Sequence, residues 1–97
     1  MAQFDVHRLG GGLVIDCQSD LLGHLASRLV VPLVLRTDAP APAHRLNPVF
    51  EIDGEDHVMM TESAAAVRRQ LLGPRVASFA DRSFEITGAL DVLISGV

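Results

Sequence analysis

The residues best equipped for chemistry in this chain are four histidines, one cysteine, a Ser-Asp pair, a triple glycine and a short acidic run. Their spacing argues against each site they suggest. His7, His24, His44 and His57 stand alone. No HxxxH or HExxH pair places two imidazoles on one helical face, so no metal centre is expected and each histidine reads as a surface residue. Ser19-Asp20 beside a histidine is raw material for a hydrolase. There is no G-x-S-x-G elbow, however, and Ser-Asp after a strand reads as a turn capping its own backbone. Asp53, Glu55 and Asp56 make too short a set for a calcium loop and lack its closing Glu. Gly10-Gly11-Gly12 resembles a phosphate-binding loop in composition only, because it opens a strand and not a helix whose N-terminus would face the anion. Cys17 has no sequence neighbour to lower its pKa and reads as a small core residue on a strand. No catalytic residue, metal or cofactor is expected, and the chain reads as a non-enzyme.

Composition excludes further classes. Eight arginines, no lysine and twelve Asp plus Glu give a net charge of −4 and a pI near 5.4, which disfavours a free-standing nucleic-acid binder. Without lysine there is no P-loop lysine, Schiff base or Ser–Lys dyad. Without Trp or Tyr, base-stacking platforms shrink to four Phe. With 97 residues, 48% of them apolar, the chain reads as one domain, 1–97. A fold this small buries a modest share of its surface, and self-association is a common remedy. A single cysteine forms no internal disulfide and asks for no oxidising compartment. The longest apolar run, Leu29–Leu35, is interrupted by Pro32 and falls well short of the roughly 20 residues of a membrane span. The first residues lack the basic start and apolar stretch of a signal peptide. A cytoplasmic location with no membrane contact is expected.

The elements that would position any site are mostly strands. Gln3 to Arg8 alternates, with Phe4 and Val6 on one face and Asp5 and His7 on the other, as in a half-buried strand. The glycines lead into a second β-rich run, Leu13 to Cys17, which reads as a hairpin. Arg28 to Leu35 is a strand that Pro32 assigns to a sheet edge or a bulge. Asp38 to Pro48, with three prolines, is an extended loop. Val49–Ile52 and His57–Thr61 flank Asp53-Gly54, a strong tight-turn signal. Glu62 to Leu72 is rich in helix formers and stops at Gly73-Pro74, so local rules alone allow a helix. A terminal helix begins near Asp81 or Ser83, with Ile86, Ala89, Leu90, Leu93, Ile94 and Val97 as its apolar stripe and Gly88, Asp91 and Ser95 opposite. Gly88 costs about 1 kcal/mol inside a helix, so something besides propensity selects it.

Several blocks occur in a recognisable order. Gln3-Phe4 opens the chain. Asp16-Cys17-Gln18-Ser19-Asp20-Leu21-Leu22 fits D-x-Q-S-D plus two aliphatics, and Arg28-Leu29-Val30-Val31-Pro32-Leu33 fits R-x-V-I-P-L. Leu46-Asn47-Pro48-Val49 fits L-x-P-V, Met59-Met60-Thr61 fits M-M-T, and a helix ends in Ser95-Gly96-Val97. In register over the whole chain, this resembles the CcdB family of toxins.

The resemblance implies a mainly β fold, an SH3-like barrel with a C-terminal α-helix shared with MazF- and Kid-type toxins. Under it, the strand from Met59 runs on to about Val67 and only Arg68 to Leu72 makes a helical turn. It implies a homodimer that poisons DNA gyrase through the GyrA polypeptide, is neutralised by a CcdA-like antitoxin, and meets DNA only indirectly, through that antitoxin, when the pair represses its operon. Gyrase contact carries over to Gly88, Asp91, Ser95, Gly96 and Val97. Ser95 stands where the family has tryptophan, and Asp91 replaces a neutral asparagine. Antitoxin contact is expected near Arg8–Gly12 and Asp38–Arg45, with Arg8, Arg36 and Arg45 facing an acidic disordered segment. Two alternatives accompany this reading. One is a protein that binds antitoxin but poisons gyrase weakly or not at all; the other is a MazF-type endoribonuclease, disfavoured by the acidic balance and the lack of an acid–base pair.

Overall fold

In the computed structural model, which describes residues 2–96, seven strands form a curled antiparallel sheet, and one C-terminal helix packs Ile86 and Ala89 into its core. Strand β1 (Asp5–Leu9) turns through Gly10-Gly11 into β2 (Gly12–Asp16), and β3 (Ser27–Leu35) follows a loop. β4 (Val49–Ile52) and β5 (Glu55–Met59) are joined by Asp53-Gly54. Both turn residues have positive φ, 53° and 80°, as a two-residue hairpin of this kind requires. β6 (Ala65–Arg68), β7 (Arg75–Ser78) and helix α1 (Ser83–Ser95) complete the chain. The sheet order is β4-β5-β3-β2-β1-β7, with β6 also paired to β3. This is the small β fold with a terminal helix that the sequence led us to expect.

Three local expectations are corrected. β3 is not an edge strand: β2 lies along one side, and β5 and β6 share the other. Pro32 is tolerated in this central position because its polar edge faces the gap between β5 and β6, where its carbonyl accepts from the Met60 N–H at 2.9 Å and no ladder donor is needed. The strand from Met59 does not run unbroken to Val67. A 3₁₀ turn at Thr61–Ser63 separates β5 from β6, and a second turn, Arg69–Leu71, follows. The helical propensity of 62–72 yields to pairing with β3. The first strand starts at Asp5, since Phe4 has φ 70°.

The main core fills the concave face with Phe4, Val6, Ile15, Val31, Leu33, Phe50, Met59, Ile86 and Ala89. The opposite face of β1, read from its alternation as the solvent side, is also buried, as are the neighbouring positions of β2 and β3. Asp5, His7, Val14, Asp16, Arg28 and Val30 are all below one-tenth exposed. The segment linking β6 to β7 covers part of it: the Gly73 carbonyl lies 2.9 Å from His7 Nδ1, so His7 is not a surface residue. Gly73 cannot be replaced easily, because a Cβ there would sit 2.9 Å from the Arg8 carbonyl oxygen. His57 is buried as well, its Nδ1 3.0 Å from the Glu55 carbonyl. His24 and His44 are exposed, as expected.

At the centre of this second face, Arg28 Nε donates to Asp16 Oδ2 at 2.9 Å. Nη2 is 2.7 Å from the same oxygen but lies outside hydrogen-bond geometry, so Nε carries the directional bond. The two side chains are 1% and 0% exposed. Removing one partner strands a buried charge and costs about 3–5 kcal/mol, whereas replacing both with apolar residues is often neutral. Arg28→Met is therefore expected to lose about 3–5 kcal/mol in urea unfolding, with most of that recovered in Arg28→Met/Asp16→Leu. Equal losses in the single and double variants would show that the pair is not what is being measured.

Candidate functional site

Helix α1 is held to the sheet at its first turn and free at its last. Arg82, just before it, stacks 4.3 Å above the Phe50 ring, donates to the Val49 carbonyl at 3.2 Å and forms a two-pronged pair with Glu85 at 2.9 and 2.8 Å. Phe50 itself packs on Phe79, with centroids 4.6 Å apart. The Arg82 contact holds the Glu85 carboxyl below its usual range. Among the described residues of the expected apolar stripe, Ile86 and Ala89 are buried and Leu90 is partly buried. Leu93 is 42% and Ile94 81% exposed, because the helix runs past the edge of the core.

Of the expected gyrase residues, Asp91, Ser95 and Gly96 are exposed and Gly88 is half-buried. Gly88, Asp91 and Ser95 follow one another at spacings of three and four, and Phe84 extends the same line by one turn. Phe84 is 91% exposed. Sequence reasoning misses it, although an aromatic residue standing off the apolar stripe is the available signal. Among the described residues, a Cβ on Gly88 would meet nothing within 4 Å, so no contact with them demands glycine there. The Ser95 hydroxyl donates to the Asp91 carbonyl at 2.7 Å and is turned back on its own helix. Gly96 ends the helix in the left-handed region, φ 77°, with its N–H bonded to the Val92 carbonyl, a position that suits glycine. Val97 lies outside the described residues.

The residues expected to meet an antitoxin divide. Arg36 and Arg45 line a cleft of about 610 Å³ between α1 and the proline loop, together with Pro48, Val49, Phe84 and Gly88. The structure thus brings Gly88 of the first set beside two arginines of the second. Arg8 is elsewhere, on β1 against Gly73 and Pro74. A further apolar surface was not foreseen: Leu21, Leu22, Leu25 and Leu71 are 88%, 46%, 40% and 58% exposed. Arg69 ties their loops together, donating to the Gly23 and Leu25 carbonyls.

The shared sequence motif serves architecture. Ser19 Oγ accepts from the Leu21 N–H, so Ser19-Asp20 is the self-capping turn expected. Gln18 accepts from the Leu29 N–H and donates to the Leu22 carbonyl, and Asp20 accepts from the Gln3 N–H. Cys17 is buried, and burial, with the adjacent Asp16 carboxylate, pushes its thiol up to about 12. Among the described residues, no three His, Cys, Asp or Glu side chains gather where they could hold a metal. No helix there is long and apolar enough to cross a membrane.

A family model described as "CcdB protein" matches residues 3–96. Among solved structures, the chain is similar to an endoribonuclease in complex with its cognate antitoxin from a mycobacterial species. That match has a TM-score of 0.77 and 13% identity, covering 97% of this chain and 94% of the other.

The Cys17 environment sets a chemical test. A raised thiol pKa favours the folded state while the thiol stays neutral, so this contribution is complete below the usual 9.0 and is lost as pH climbs from there towards 12. At pH 8, a disulfide reagent is expected to label Cys17 only as fast as the protein unfolds; rapid labelling of folded protein would contradict the burial. Glu85→Gln, at a pair whose carboxylate is 53% exposed, is expected to cost less than about 1 kcal/mol. The sign follows from the lowered carboxyl: the contribution is present above the carboxylate range and disappears as pH falls through it.

Proposed function

This chain belongs to the CcdB family, and from that premise we propose that it is the toxin of a toxin–antitoxin pair and acts by binding GyrA through the outer face of α1, without catalysis. The observation that carries this reading is the exposed strip itself. Phe84, Asp91, Ser95 and Gly96 are exposed along one strip of the helix, and among the described residues nothing lies within 4 Å of where a Cβ on the half-buried Gly88 would sit. Glycine at positions 88 and 96 lets another backbone come close.

Ser95 weakens the contact. It offers no large side chain to fill a pocket, and its hydroxyl is already engaged with Asp91. Asp91 adds a charge that must be desolvated unless a cation meets it. An aromatic hot spot is worth about 2–4 kcal/mol, or roughly 30- to 1000-fold. The engaged hydroxyl therefore favours a second reading, in which antitoxin binding and co-repression persist while gyrase poisoning is weak. Endoribonuclease action has less support, since the enzyme it resembles shares the fold at low identity.

The rest of the proposal concerns partners. A CcdA-like antitoxin neutralises the chain in the cytoplasm, using Arg36 and Arg45 and, at a separate place, Arg8. DNA is reached only through that antitoxin. A homodimer covers apolar side chains that a single copy leaves in water, Leu93 and Ile94 among them.

Ser95→Trp is expected to raise affinity for a GyrA fragment at least tenfold by calorimetry and to deepen growth arrest on induction. No gain in either, with the fold intact, would leave the second reading as the better one. Incubation with RNA in EDTA is expected to leave the RNA whole; cleavage would establish the endoribonuclease. Sedimentation at micromolar concentration is expected to show a dimer, and a sole species at 10.4 kDa would remove that part of the proposal.

A further inference from the structure

All the aromatic residues of this chain are its four phenylalanines. Phe4 and Phe50 are buried in the core, and the half-buried Phe79 packs on Phe50. Phe84 alone is left in water, 91% exposed on the first turn of α1. Helix propensity gives no reason for Phe at such a position, since it ranks below Ala, Glu and Lys. The turn that carries the ring is held on both sides. Arg82 and Glu85 flank it and pair at 2.9 and 2.8 Å, while Arg82 stacks 4.3 Å above Phe50 and donates to the Val49 carbonyl. The Thr87 hydroxyl donates to the Ser83 carbonyl at 2.9 Å and to the Phe84 carbonyl at 3.4 Å. A side chain presented from an already ordered turn loses less freedom when a partner covers it.

The exposed strip of α1 differs along its length. Near its start, Phe84 and the half-buried Gly88 are uncharged, and the Arg82–Glu85 pair beside them is neutral as a unit. Among the described residues, a Cβ at position 88 would meet nothing within 4 Å, so a notch lies one turn from the ring. Farther on, Asp91 has no cation within ion-pair distance among the described residues, and the Ser95 hydroxyl is engaged with the Asp91 carbonyl. A partner seated there must desolvate a charge, whereas one seated at the start buries a ring. Phe84 borders the cleft under the proline loop, but a ring this exposed stands clear of it and extends the helix strip instead. Interface hot spots are central, desolvated and often aromatic. We propose that Phe84 is the aromatic anchor of the GyrA contact in this chain, which centres that contact on the first two turns of α1 rather than on residue 95. The inference rests on the reading that the outer face of α1 meets GyrA. Positions 84 and 95 lie about 16 Å apart along the helix axis, so they meet separate parts of GyrA and their effects add.

The test is calorimetry of the full chain against a GyrA fragment, in wild type and in the Ser95→Trp background. Phe84→Ala is expected to weaken binding at least tenfold in each, by factors that agree within twofold. Phe84→Trp is expected to keep or tighten it, and Gly88→Arg, which fills the notch, to abolish it. Circular dichroism and urea midpoints are expected to match wild type, because the ring takes no part in the core. Undiminished binding by Phe84→Ala, with Gly88→Arg still abolishing it, overturns the anchor and leaves the helix-face reading intact. Undiminished binding by both variants removes that reading too, as does an absence of binding in wild type and Ser95→Trp alike. Phe84→Ala that spares GyrA but weakens the complex with the product of the reading frame immediately upstream gives the ring to the antitoxin. Phe84→Ala that turns a dimer into a monomer on sedimentation gives it to a contact between copies. Either of these results overturns the anchor.

Discussion

The buried pair between Arg28 and Asp16 fixes the part of the molecule on which the rest is hung. A guanidinium and a carboxylate taken this far from water are tolerable only when they find each other, because the desolvation cost of either alone runs to several kcal/mol. Once they do, the loop between β2 and β3 has few choices. Asp16 Oδ1 accepts from the Gln18 N–H, and Gln18 bridges the two strands through Leu29 and reaches Leu22. Asp20 then reaches back to Gln3, while Gln3 Nε2 donates to the Cys17 carbonyl. Nearly every polar side chain of the D-x-Q-S-D run is spent on this scaffold, so the run that identifies the family is not where reactive chemistry should be sought.

Surface character follows from that economy. Leu21 and Leu22 cannot retreat into the core because the turn that carries them is bonded down on both sides. Helix α1 is constrained in a comparable way by Arg82, whose contacts with Phe50, Val49 and Glu85 set its starting point and direction. Its last turn consequently projects with Leu93 and Ile94 in water. Arg45 within the proline loop and Arg36 just before it place two cations beside this helix, in a chain whose net charge is −4.

Periodicity and turn chemistry make much of the fold legible. Asp53-Gly54 and the triple glycine mark two hairpins, and spacings of three and four mark the helix. What stays hidden depends on register between distant segments. Asp16 and Arg28 are 12 residues apart and meet only because β2 and β3 pair as they do. His7 is buried by a carbonyl 66 residues away, so alternation alone misreads its face as solvent. Pro32 points to an edge because a missing donor is usually harmless only there; a gap between two partner strands serves as well. The expected contact residues are inferred from a family pattern alone, and the meeting of Gly88 with Arg36 and Arg45 in one cleft requires the loop's tertiary path.

We propose above all that α1 presents its outer face to gyrase. The most direct measurement is amide chemical-shift mapping of the labelled protein titrated with a GyrA fragment, at concentrations high enough to populate a weak complex. Shifts concentrated on Phe84 to Gly96, with the interior of β1 and β2 unmoved, are the predicted result. Shifts absent at saturating fragment, or confined to the β6 edge, would contradict the claim.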